Sequence, residues 1–135
     1  MFRLVKILYS GSNQPEPLRI PGVVGESYIK GQPMKLDEGR LTRVASDEFP
    51  SYMTMESKTV EEEGDTVLCY EITPNMIFDV TCYGDVIGSF FGRKVNLYSD
   101  GIQLSGVSSK AGSVATVYDP KGAKYMGDHI LIRFI

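Results

Sequence analysis

Apolar residues fall along this chain either at every second position or in short runs of strand length, and no stretch repeats at the helical period. Thr66 to Ile72 sets Leu68, Tyr70 and Ile72 on one face and Val67 and Cys69 on the other. Met76 to Cys82 sets Phe78, Val80 and Cys82 against Ile77, Asp79 and Thr81. Thr73-Pro74-Asn75 lies between them, with proline fixing φ and asparagine tolerating the left-handed region, so the pattern predicts a β-hairpin. On that register Cys69 faces Val80 and Cys82 faces Val67. The two thiols, the only ones in the chain, are then diagonal neighbours at or beyond disulfide reach and are expected to be free and buried. Phe2 to Tyr9, Leu41 to Val44, Ser51 to Met55 and Ser113 to Tyr118 read as further strands. His129 to Ile135, apolar on both faces apart from Arg133, reads as a strand buried centrally.

One phrase occurs twice. Gly31-Gln-Pro-Met-Lys-Leu36 leads through Asp37-Glu38-Gly39 to Arg40-Leu41, and Gly92-Arg-Lys-Val-Asn-Leu97 leads through Asp100-Gly101 to Ile102-Gln103-Leu104. Each copy reads as a strand, an acidic-Gly turn and a return strand, because glycine reaches positive φ without a Cβ clash. The second copy is preceded by the apolar run Val86 to Phe91. Asp119-Pro120-Lys121-Gly122 has the composition of a turn with proline second, and Gly106 to Gly112 reads as a small-residue loop. Turn signals every 8–12 residues indicate an all-β protein, a single small β-barrel or β-sandwich domain over residues 1–135 built from hairpins.

Residues 10–24 break this pattern. Pro15, Pro17 and Pro21 interrupt a polar stretch, and the segment is expected to be an extended arm or long loop. Its apolar residues Leu18, Ile20, Val23 and Val24, with Pro21, suit docking along a partner surface, since proline lowers the entropy lost on ordering.

With 135 residues and 42% hydrophobic content the chain is large enough for one real core. A formal charge of −3 argues against nucleic acid as a partner. Arg93-Lys94, Lys121 and Lys124 are expected to be solvated turn charges. The apolar N-terminus is broken by Arg3 and Lys6, too short for a signal peptide, and no run approaches a membrane span. The expectation is a soluble protein made in a cytoplasm, with no membrane partner.

Chemistry-bearing residues are sparse. His129 is the single histidine, and a Cys-His pair with Cys69 or Cys82 has no nucleophile signature around it. Glu61-Glu62-Glu63-Gly64-Asp65 lacks the ligand spacing of a calcium loop and reads as a solvated turn. Asp37, Glu38, Asp85 and Asp100 fall where turn chemistry accounts for them. Asp79 is placed on an outward face as a solvated or cross-strand polar residue. No catalytic, cofactor or metal site is expected.

The order of several phrases resembles the capsid decoration (cement or head-stabilisation) proteins of tailed bacteriophages. The matching residues are Ile29-Lys-Gly-Gln-Pro-Met-Lys-Leu36 with Gly39-Arg-Leu41, Pro50-Ser-Tyr-Met-Thr-Met55, and Tyr70-Glu-Ile-Thr-Pro-Asn-Met-Ile-Phe78. They continue with Gly92 to Leu97, Ser99-Asp-Gly101 and Gly127-Asp-His-Ile-Leu-Ile-Arg-Phe134, so the likeness covers most of residues 25–135. The resemblance implies a non-enzymatic β-rich virion protein on the outer capsid surface, made in the host cytoplasm. It implies the major capsid protein as partner and no cofactor, and leaves open whether the protein also partners itself as a trimer or other oligomer. Leu18, Ile20, Pro21, Val23 and Val24 are the candidate capsid contacts, although residues 10–24 lie outside the likeness. Another β-rich virion module (head fibre base, tail tube or adaptor) and a small ligand-binding barrel or enzyme remain alternatives.

Overall fold

A computed structural model of the chain describes residues 1–11, 14–84, 91–105, 112 and 114–135. Among them there is no helix, and the chain is all-β with antiparallel sheets packed together. The strands are β1 (Arg3–Ile7), β2 (Leu18–Pro21), β3 (Ser27–Tyr28), β4 (Pro33–Asp37), β5 (Arg40–Arg43), β6 (Tyr52–Thr54) and β7 (Lys58–Thr59). The remainder are β8 (Thr66–Glu71), β9 (Met76–Tyr83), β10 (Lys94–Val95), β11 (Leu104–Ser105), β12 (Ala115–Asp119) and β13 (His129–Arg133).

Strands β2-β8-β6-β4-β5 form one sheet in that spatial order. Strands β1-β9-β13-β12-β10 form the other, with β11 joined in parallel to β9. The main core lies between them: Met53 and Tyr70 from one sheet meet Phe78, Val80, Ile130 and Ile132 from the other. Phe2, Phe78 and Phe134 pack against one another there, with ring centroids 5.4–6.4 Å apart. The opposite face of the five-stranded sheet carries a second, smaller core of Tyr28, Met34, Leu41, Val60, Val67 and Cys69. The two-stranded pair β3-β7 brings Tyr28 to that face. The arrangement is sandwich-like with a third, partial layer. The five-stranded sheet also curls until Gly22, just past β2, bridges Leu41 on β5. Only glycine fits here, because a Cβ at Gly22 would stand 2.5 Å from Val60 Cγ2.

The predicted hairpin of residues 66–82 does not form. β8 pairs with β2 and β6, whereas β9 pairs with β1 and β13, so Thr73-Pro74-Asn75 is a corner between sheets. Tyr70 and Phe78 instead enter the main core from opposite sides, and Val67 and Cys69 fill the second core. β8, apolar on both faces, carries no alternation to choose its neighbour, and stacking it on the apolar face of β9 buries more than edge pairing would. Asn75 has no positive φ. Its carbonyl accepts from Leu8 N–H at 2.8 Å and its side-chain amide donates to Leu8 O at 3.0 Å, pinning the corner to the end of β1. The thiols are therefore not diagonal neighbours: Cys69 is opposite Leu18 and Thr54, and Cys82 is opposite Leu104. Both are free and buried, as expected.

Residues 18–21 also depart from expectation, since they form an edge strand in register with Thr66 to Cys69 rather than an arm. The strands at Arg3, Arg40, Tyr52, Ala115 and His129 match their predicted positions to within a few residues, and β13 is central, between β9 and β12. The turn after β12 lies one residue later than expected. Lys121 and Gly122 are its central pair with φ of 51° and 68°, and Ala123 N–H donates to Pro120 O at 2.9 Å. Lys94, Lys121 and Lys124 are exposed, but Lys94 is on a strand and Arg93 is half-buried. Asp85, most of the run Val86 to Phe91 and most of the loop Gly106 to Gly112 lie outside the described residues.

Candidate functional site

Strand β2 and the turn after it carry the five candidate contacts, and the fold divides them into two groups. Ile20 is opposite Val67 and packs on the second core. Val23 is half-buried and lines a shallow cavity of about 240 Å³ with Tyr28, Met34 and Leu41. Tyr28 is the lock of this corner. Its hydroxyl accepts from Val23 N–H at 2.9 Å and donates to Leu41 O at 2.7 Å. Burial pushes the Tyr28 phenol above its ordinary value, with the bond from Val23 opposing and nearby Glu26 adding to the shift. A glutamate-arginine pair, Glu26 and Arg43 at 3.9 Å, stands beside it.

Leu18, Pro21 and Val24 are instead exposed. Leu18 is 38% and Val24 47% exposed, and Pro21 is exposed between them. They line the margin of the five-stranded sheet, where proline leaves one backbone donor absent from the edge. Two of the five contacts inferred from the sequence are thus structural. Ile20 and Val23 hold the corner, and Leu18, Pro21 and Val24 are presented on it.

No protein-family model matches the chain, and no curated protein sequence matches it.

The outer face of the six-stranded sheet carries a polar cluster that the sequence indicated only in part. Asp79 is 8% exposed and takes Arg3 Nη2 at 3.3 Å and His129 Nδ1 at 2.5 Å. It is a cross-strand polar residue, one of the two roles expected for it. The register explains the meeting: β9 lies between β1 and β13, with Arg3 opposite Asp79 and His129 opposite Thr81. Burial alone would raise the Asp79 carboxyl, but the hydrogen bonds and charges of His129 and Arg3 outweigh it and hold the carboxyl below its ordinary value. The one acid in the apolar run 76–82 was a visible signal, but its partners are 76 and 50 residues away.

His129 is thereby committed to Asp79 rather than to a cysteine. Burial pushes the Cys69 thiol up to about 11, and burial with the charge of Asp128 does the same for Cys82. Both are neutral thiols near pH 7, the reverse of an activated thiolate. In the acidic run, Asp65 Oδ2 accepts from Glu61 and Glu62 N–H at 3.2 Å, and Glu63 pairs with Arg40. These are turn and surface contacts on exposed glutamates. Among the described residues no three His, Cys, Asp or Glu side chains gather to hold a metal ion.

Proposed function

We propose that this chain is a non-enzymatic virion protein that binds the outer surface of a tailed-phage capsid and stabilises the shell by bridging major capsid subunits. The order of phrases between residues 25 and 135 supports the family side of the reading. The geometric support is the sheet margin, where Leu18, Pro21 and Val24 are exposed on a corner held rigid by Tyr28. Exposed apolar side chains on a fixed edge suit a docking contact, because little entropy is lost when they are covered.

The test is co-sedimentation with DNA-filled heads and, separately, with isolated tails. Binding to heads alone is the expected result, and binding to tails alone would move the protein to another virion module. Within the head-binding result, Leu18→Asp and Val24→Asp together place charge in the contact at two exposed positions. Occupancy should then fall at least tenfold. Unchanged occupancy would remove this edge from the mechanism and move the contact to another face. Substitution is preferable to removing residues 13–20, because Leu18 to Ile20 are part of β2 and their loss would strip β8 of a neighbour.

A further inference from the structure

A larger cavity, of about 400 Å³, opens where β1 meets the facing sheet. Phe2, Leu4, Pro15, Met55 and the ring of Tyr70 supply apolar wall, and exposed Lys30 stands on its lining. Two observations give it a chemical preference. Tyr70 is only 6% exposed, yet its hydroxyl has no hydrogen-bond partner among the described residues. The oxygen itself keeps solvent contact, so this donor is free to serve a ligand in the cavity. Burial pushes this phenol well above its ordinary range, so it stays a neutral donor at physiological pH. Lys30 likewise has no acidic partner among the described residues. Arg3, also on the lining, is already held by Asp79.

We propose that this cavity is a binding site for a small amphipathic carboxylate. Its chain, of about six to eight carbons, lies among Phe2, Leu4, Pro15 and Met55, and its carboxylate accepts from the Tyr70 hydroxyl beside the Lys30 ammonium. A wholly apolar ligand would leave the phenol and the ammonium unmatched. A small polar anion such as phosphate would leave the apolar wall unfilled. The site is separate from the β2 edge and goes beyond the capsid reading, and its test uses the free protein.

The experiment is calorimetric titration of the full chain with octanoate below its micellar range, with octan-1-ol as the uncharged probe. The expected result is saturable binding of one octanoate per chain, clearly tighter than octan-1-ol. Tyr70→Phe, which removes one oxygen and keeps the ring, should weaken octanoate about tenfold, as the loss of one charge-assisted bond does. Lys30→Gln, at an exposed position, should weaken it several-fold and narrow the gap to octan-1-ol. No saturable octanoate binding would overturn the proposal. So would octan-1-ol binding as tightly as octanoate, or Tyr70→Phe binding octanoate as the parent does with its melting unchanged.

Discussion

The phrase that begins at Gly31 and the one that begins at Gly92 use the same residues to build different structures. In the first, Met34 to Asp37 pairs residue by residue with Arg40 to Arg43 across a two-residue turn, with φ of 50° at Glu38 and 78° at Gly39. In the second, Gly101 takes nearly the same φ, 74°, and Asp100 Oδ1 caps the turn by accepting from Ile102 and Gln103 N–H at 3.0 and 3.1 Å. Yet the strands beyond it separate. Leu97 and Leu104 share a single bridge, after which β10 pairs with β12 and β11 with β9. The difference is burial. Val95, Leu97 and Leu104 are all in the main core, whereas the first copy leaves Leu36 44% exposed and buries Leu41. A turn is decided by its own residues. A ladder partner is decided by what must be covered.

The opening glycines of the two copies should break this likeness most clearly. Both have positive φ, 78° at Gly31 and 81° at Gly92, but a Cβ at Gly31 would stand 2.5 Å from Phe2 O while one at Gly92 meets nothing within 4 Å. Gly92→Ala should cost about 1–2 kcal/mol from backbone strain alone. Gly31→Ala should cost about 3 kcal/mol or more, since it also forces β1 away. Urea unfolding measures both, and equal costs would mean that the approach of Gly31 to Phe2 is not tight.

The thiols report on the two cores separately, Cys69 on the smaller and Cys82 on the larger. Each folded value, about 11, lies above the ordinary 9.0, so the unfolded chain loses these protons first. Their contribution is whole below about pH 9 and is lost as pH rises through about 11, by roughly 2 kcal/mol per thiol. Subtracting the alkaline stability curve of each Cys→Ala variant from the parent's should isolate that slope. Thiol reagents should label both residues slowly in the native protein and quickly after denaturation. Rapid native labelling of either would place it outside its core.

At the turns, Gly39→Val and Gly101→Val should each cost about 1–2 kcal/mol, because a β-branched residue is strained at positive φ. The Gly101 variant should cost slightly more, since its Cβ would approach Gln32 Nε2 at 3.4 Å, a point where the two copies touch. Melting of both variants at the parent temperature would refute the shared turn.

The smallest effect belongs to Asp79. Its carboxyl is held below the ordinary value, so its stabilisation is present above about pH 4 and is lost as pH falls through the folded value. The loss should be about 1 kcal/mol, modest because Arg3 and His129 are 71% and 63% exposed. Asp79→Asn should remove that part of the acid dependence, and an acid limb identical to the parent's would show the pair contributes nothing.

Local chemistry determined much of this protein from sequence alone. Period-two alternation located most strands, and the acidic-Gly dipeptides located both turns, because each depends on residues within a few positions. The free, buried state of the thiols was also legible. The partners of the strands were not. β8 is apolar on both faces, β9 has one wholly apolar face, and a turn-forming triplet separates them, so their pattern was equally consistent with pairing or with stacking. The edge strand at Leu18 was hidden by its prolines, and its place became visible only with β8 beside it. Arg3, Asp79 and His129 meet for the same reason: β9 lies between the first and last strands of the chain. Such long-range choices are set by the total surface that can be buried at once, a property of the assembled sheets and of no single segment.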